Sequence, residues 1–248
     1  MAGYHWHWGV FLDQVPSGET YYWVWLLEGL QWTVAVSLSG WVMALLCGGL
    51  VGVFRTVPGR WLSRLAGVYV ECFRNIPLLV QLFLWYFVMP EWLPTPWGDA
   101  IKQWHPLTQQ FLAAWLCLGF FTSARVAEQV RAGIESLPAG QRAAALALGL
   151  TLPQTYRQVL LPQVARIILP PLTSEFLGIF KNSAVANTIG LMELSRQAQQ
   201  LADYTAQPYE AFIAVTLLYL LVNGLVMLIM RRIETSTRLS GSARGGHD

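Results

Sequence analysis

Residues 30–54 carry no charge at all. A helix needs roughly 20 apolar residues to cross about 30 Å of hydrocarbon, so this run is long enough to span a bilayer. In lipid the backbone must satisfy its own hydrogen bonds, which makes a lone span of this kind a helix. Gly48 and Gly52 stand one turn apart near its end, a small-xxx-small spacing that lets a second helix approach closely. The preceding stretch, residues 20–29, is too short for a crossing of its own and is expected along the interface.

Composition extends this reading to the whole chain. Of 248 residues, 54% are hydrophobic and only 12% charged. A soluble domain carries about 25% charge, so too few charged residues remain to cover a water-facing surface. Twelve Trp and nine Tyr, many flanking the apolar runs, suit the headgroup layer. The net charge of +2, without a basic patch interleaved with aromatics, excludes a nucleic-acid partner. Cys47, Cys72 and Cys117 lie in or beside apolar runs and read as small buried hydrophobes. His5 and His7 alternate with Trp in an N-terminal tail that reads as interfacial, with no further metal ligand near in sequence. That tail has no basic region or small-residue cleavage site, so no cleaved signal peptide is expected.

The pattern predicts an all-α polytopic membrane protein with about five spans, at residues 30–54, 65–88, 110–130, 164–183 and 211–230. They form a single transmembrane domain over residues 1–235, followed by a flexible cytoplasmic tail at 236–248. The second span holds Glu71 and Arg74, three apart and able to pair on one helical face. Residues 89–108, rich in Pro and Trp, read as a loop outside the hydrocarbon. The third span admits Arg125, Glu128 and Arg131. Together Glu71, Arg74, Arg125 and Glu128 read as intramembrane charge pairs. The fourth span, with Pro170-Pro171 and Glu175 before Lys181-Asn182, suits a helix enclosed by others or lining a watery path. Glu175, Lys181 and Asn182 are therefore the candidates for lining a solute pathway. A short external helix is expected between spans four and five, and Asn223 in span five reads as an interhelical hydrogen bond.

Basic residues set the orientation. One side collects Arg55, Arg60, Arg64, Arg131, Arg142, Arg157, Arg166, Arg231, Arg232, Arg238 and Arg244; the other holds Lys102, Arg196 and Lys181. This predicts a periplasmic N-terminus, a cytoplasmic C-terminus and a cytoplasmic loop at about 138–162. The loop is more than a connection. Ala143–Leu148 favours helix, Gly149 supplies a C-terminal cap, and Thr151 with Gln154 resembles a capping box that opens a second short helix to about Leu160. Pro153 falls in the first turn of that helix, where its missing N–H costs little. Leu150, Leu152, Tyr156, Val159 and Leu160 then form an apolar set suited to docking on another protein. No nucleotide-binding loop or hydrolase motif is present, so energy from ATP would have to come through a partner.

At this loop the chain resembles the inner-membrane permeases of bacterial binding-protein-dependent ABC importers. Their signature reads E-A-A, three residues, G, nine residues, I-x-L-P. Ala144 and Ala145 match the alanines, Gly149 the glycine, Val159 stands for the isoleucine, and Leu161-Pro162 match the final pair; Ala143 replaces the leading Glu. YVECFRNIPLLVQLFLWY at 69–86, ARVAEQVRAGIESLPAGQ at 124–141 and KNSAVANTIGLMEL at 181–194 resemble the polar amino acid branch, and the whole chain is most similar to permeases of glutamate/aspartate importers. Related branches carry glutamine, histidine or arginine.

The resemblance implies a non-catalytic pathway subunit in the bacterial inner membrane. It implies a second related permease, an ATPase dimer that uses ATP and Mg, and a periplasmic solute-binding protein, with no cofactor or metal on this chain. Ala144, Ala145, Gly149, Leu152, Pro153, Tyr156, Arg157, Leu161 and Pro162 would form the ATPase-coupling loop, with the helix at about Leu152–Gln158 resembling the coupling helix. An ion-coupled secondary transporter would also suit broken helices and buried charges, but no two-fold hydropathy repeat is evident.

Overall fold

The computed structural model describes residues 4–16, 18 and 20–237, and these are helical almost throughout. The expected all-α class holds. The first long helix, α1 (Tyr22–Phe54), begins earlier than predicted. Residues 22–29 do not lie along an interface; they are its opening turns, and 33 residues reach about 50 Å.

Helix α1 runs beside α6 (Pro106–Glu135) in the same direction. Trp32 meets Phe111, Gly40 meets Leu118 and Gly119, Gly48 meets Ser123 and Val126, and Gly52 meets Ala127 and Val130. The small-residue spacing does what it suggested. A Cβ on Gly48 would fall 2.5 Å from the Ser123 carbonyl oxygen, and one on Gly52 would fall 2.6 Å from Val130 Cβ. Neither position leaves room for a side chain.

Two parallel crossings need a return between them. The predicted helix at 65–88 is in fact two pieces, α2 (Arg60–Asn75) and α3 (Leu78–Phe83), the latter continuing through a π-helical turn at Leu84–Val88 into α4 (Met89–Trp92). The two halves meet at 104°. Pro77 causes the break: it has no N–H to donate, and it pushes Ile76 out of the helical region to φ −87°, ψ 128°. The carbonyls freed at the break are recaptured by a buried side chain. Gln81 Nε2 donates to Phe73 O at 2.8 Å and to Ile76 O at 2.9 Å. Gln81→Leu keeps the volume but removes both donors, and should lower the unfolding free energy by about 1–3 kcal/mol. Thermal unfolding in detergent would read this; an unchanged midpoint would show that Gln81 does not hold the kink.

Residues 89–108 are not an irregular loop. They include α4 and a further helix, α5 (Thr95–Lys102). Lys102 Nζ lies 2.7 Å from Glu91 and 3.8 Å from Asp99, and its bond to Glu91 holds the ammonium above the ordinary lysine range.

After α6 come α7 (Ala139–Ala147) and α8 (Leu152–Gln154), a π-helical turn at Thr155–Leu160, and α9 (Leu161–Asn182). A 3-10 turn at Ser183–Ile189 leads to α10 (Leu194–Thr205) and α11 (Pro208–Thr237). Helices α1, α6 and α11 are long and apolar enough to cross a membrane unaided, and the bent pair of α2 and α3–α4 makes a fourth if its two arms count as one span. Helix α9 is long enough, about 33 Å, but not apolar enough on its own. It lies among α1, α6 and α11 and buries Val164, Ile168, Ile179 and Phe180.

The expected external helix is α10, and it is not peripheral. Leu194, Ala198 and Leu201, on one helical stripe, are buried with Tyr22 and Leu26 of α1 and Ala211 and Val215 of α11. Glu193 caps its N-terminus, accepting from the N–H groups of Ser195 and Arg196 at 3.0 and 2.8 Å and from Tyr219 Oη at 2.7 Å. The N-terminal segment, expected as an interfacial tail, is packed onto the same corner. Val10 and Val15 join this cluster, Tyr4 Oη donates to Glu210, and the His7 N–H donates to Glu210 at 2.7 Å. Among the described residues Asn223 makes no bond between helices; its Nδ2 donates to Tyr219 O of its own helix at 2.8 Å. Arg238, Arg244 and the predicted tail from 238 onward lie outside the described residues.

Candidate functional site: a charged cleft and a projecting loop

Three elements converge on a cleft of about 230 Å³ lined by Arg74 of α2, Arg125, Glu128 and Gln129 of α6, and Glu175 of α9. Arg125, Glu128 and Gln129 fall within about one turn, so α6 presents them on one side. Glu175 lies one turn beyond Pro170-Pro171. Those prolines remove two helical N–H donors, which loosens the helix just before the cleft.

The charge pairing differs from the sequence expectation. Glu71 and Arg74 do not pair. Arg74 reaches instead to Glu128, with Nη1 3.3 Å from Oε1. Arg55 donates to the same Oε1, and Arg131 donates to Oε2 from Nε at 3.2 Å and from Nη2 at 3.0 Å. Three guanidinium groups from α2, the end of α1 and α6 thus share one carboxylate, and Arg131 also holds Glu135 at 2.5 Å. Arg125 is held less firmly. Its Nη1 is 4.0 Å from Glu175 Oε2, and its guanidinium lies 4.6 Å from the Phe121 ring centroid. Glu175 thus lines a polar cavity. Lys181 and Asn182 do not join it: Lys181 is exposed, and Asn182 faces an apolar recess with Leu78, Leu82, Cys117 and Val185.

Sequence reasoning missed Arg55 and Gln129. Arg55 is 73 residues from Glu128, and its only sequence signal was its place where the uncharged run of the first span ends.

The projecting loop forms largely as its caps foretold. Just past the end of α7 stands Gly149, whose φ of +84° is a conformation that favours glycine. The Thr151 N–H donates to Gln154 Oε1 at 2.8 Å. The second short helix does not stop near Leu160 but runs through the π-helical turn into α9 without interruption. The apolar docking set also changes. Tyr156 and Leu160 are only 5% and 3% exposed, and Tyr156 Oη lies 3.1 Å from Thr56 Oγ1. The face left open belongs to α7 and its cap: Ala143, Ala144, Leu146 and Ala147 are exposed, and Leu148 is 84% exposed. Ala145 is buried beneath them. Leu152 is half-buried, Pro153, Arg157 and Pro162 are exposed, and Leu161 is half-buried.

A helical bundle with a sharply bent helix pair, an enclosed helix beside a charged cleft, and a structured apolar-tipped loop describes a translocation subunit of the membrane. Residues 33–239 match the family of binding-protein-dependent transport system inner membrane components, and the chain belongs to that family. It is thus an inner-membrane permease. It is 53% identical over 97% of its length to the glutamate/aspartate import permease protein GltJ of Escherichia coli strain K12, of which the match covers 98%. It is 32% identical to the glutamine transport system permease protein GlnP of the same strain, over 86% of this chain and 93% of that one. Among solved structures, a chain of an amino acid ABC transporter crystallised with histidines matches with a TM-score of 0.73 and 28% identity, covering 87% of this chain and 95% of that one.

Proposed function

We propose that this chain is the pathway subunit of an ATP-driven, binding-protein-dependent importer of glutamate and aspartate. The observation that carries the reading is the near full-length identity of 53% to a glutamate/aspartate import permease, against 32% to a glutamine permease. The chain works with a second related permease, a pair of ATPase subunits and a periplasmic solute-binding protein. It binds no cofactor; ATP and Mg are used by the ATPase. Its single transmembrane domain has about five crossings, with the N-terminus periplasmic and the C-terminus cytoplasmic.

The cleft suits this cargo chemically. An acidic amino acid brings two carboxylates and one ammonium. Glu128 is already surrounded by cations, whereas Arg125 is half-exposed and loosely held. Arg125 can exchange Glu175 for a solute carboxylate, and Glu175 is then free to meet the ammonium. The exposed face of α7 docks in an ATPase groove. Because α8, the π-helical turn and α9 form one continuous helix, movement of the loop carries directly to Glu175.

The test is uptake of labelled glutamate, aspartate, glutamine and histidine by the purified complex in liposomes, with and without ATP. Uptake of the two acidic amino acids, dependent on ATP and on the binding protein, is expected. Uptake by this chain alone would refute the ABC reading; preference for glutamine or histidine would reassign the solute.

A further inference from the structure

The first half of α2 has a surface that the transport cycle described above does not use. Its inner face packs on the bundle: Ala66 and Val70 are buried, and Tyr69 and Phe73 lie against α6, where Val70 meets Ala124 and Ala127. The outer face is apolar and open. Trp61 is 79% and Leu65 67% exposed, and Val68 continues the same stripe at i, i+4 and i+7. Between the two faces Arg60 and Arg64 stand one turn apart on a third edge. They line, with Gly59 and Ser63, a surface cleft of about 390 Å³. Neither arginine forms an ion pair among the described residues, in contrast to Arg55 a few residues earlier, which is held by Glu128.

We propose that this segment binds the headgroup of an anionic phospholipid in the leaflet on its side of the membrane, which is the cytoplasmic leaflet in the orientation proposed above. Charge complementarity and shape favour this ligand. Two guanidinium groups without an anion among the described residues sit at the end of a helix, where phosphate oxygens are the abundant anions of a membrane. The adjoining Trp61, Leu65 and Val68 stripe offers an indole at headgroup depth and an apolar track for the acyl chains. Ser63 Oγ donates to Arg55 O at 3.1 Å, which ties the start of α2 to the end of α1 and fixes the edge that carries Arg60 and Arg64.

The test is native mass spectrometry of the intact detergent-purified importer, titrated with phosphatidylglycerol, with phosphatidylcholine of the same chains, or with inorganic phosphate. Phosphatidylglycerol should be retained over phosphatidylcholine. Arg60→Gln with Arg64→Gln should weaken it by about thirtyfold, while Arg60→Lys with Arg64→Lys should keep most of the binding and guard against misfolding of the neutral pair. Equal retention of the two lipids, or retention unchanged in the Gln pair, would overturn the proposal. So would displacement by millimolar inorganic phosphate, or a photo-crosslink from position 61 that captures a protein subunit instead of lipid. Binding is read by mass, so its failure is separable from failure of the uptake assay.

Discussion

Leu148→Glu should strip the ATPase from the purified complex while leaving the membrane subunit folded. The side chain is 84% exposed at the tip of the loop, so little contact with the described residues is lost. In the docked complex the new carboxylate would be buried against a groove shaped for an apolar group. An unpaired buried charge costs on the order of 3 kcal/mol, more than a hundredfold in affinity. Co-purification through a tag on the permease reads the outcome, with melting of the permease as the control for folding. A complex that keeps its ATPase and its ATP-dependent uptake would move the docking face away from α7.

The second large effect is expected at Glu128. Glu128→Gln leaves Arg55, Arg74 and Arg131 around a neutral amide. The Arg55 and Glu128 side chains are only 18% and 19% exposed, so this loss falls where water screens poorly. Arg74 is half-exposed and contributes little. We expect a loss of about 2–4 kcal/mol in stability and at least a tenfold fall in uptake, since α1, α2 and α6 lose their common anchor. Neutralising Arg55 in the same background, as Glu128→Gln with Arg55→Gln, should restore part of the stability, because the most enclosed cation then no longer lacks an anion. Wild-type uptake and melting in Glu128→Gln would show that the cluster is a bystander.

Much of the fold was legible because the bilayer imposes coarse demands. An uncharged run at 30–54 must be a spanning helix, and two glycines four apart can mark a close approach, as Gly48 and Gly52 do. Gly149 and Thr151 announced a helix end and a helix start through local chemistry alone. Pro77 was equally visible, but its consequence depended on Gln81 reaching back to two carbonyls. That contact is tertiary in effect although close in sequence. The site was less legible. Glu71 and Arg74 have the spacing of a helical pair, yet the nearer partner for Arg74 in space is Glu128, because α2 crosses α6 there. Lys181 and Asn182 follow Glu175 on one helix, but six residues rotate Lys181 to another face, and Asn182, seven residues on, returns to the same face about 10 Å farther along the axis, beside the apolar recess. Tyr156 and Leu160 were apolar enough to dock on a partner; the chain keeps them for itself.

The unbroken run from Leu152 to Asn182 has a consequence of phase. A hinge between loop and span would let each be tuned separately. Here the angular position of Glu175 is counted off residue by residue from the loop, and the π-helical turn at Thr155–Leu160 enters that count by widening the helix locally. One residue more or fewer in this stretch would swing the carboxylate about 100° around the axis. The number of residues between the loop and the cleft is thus as fixed a property of this chain as their identities.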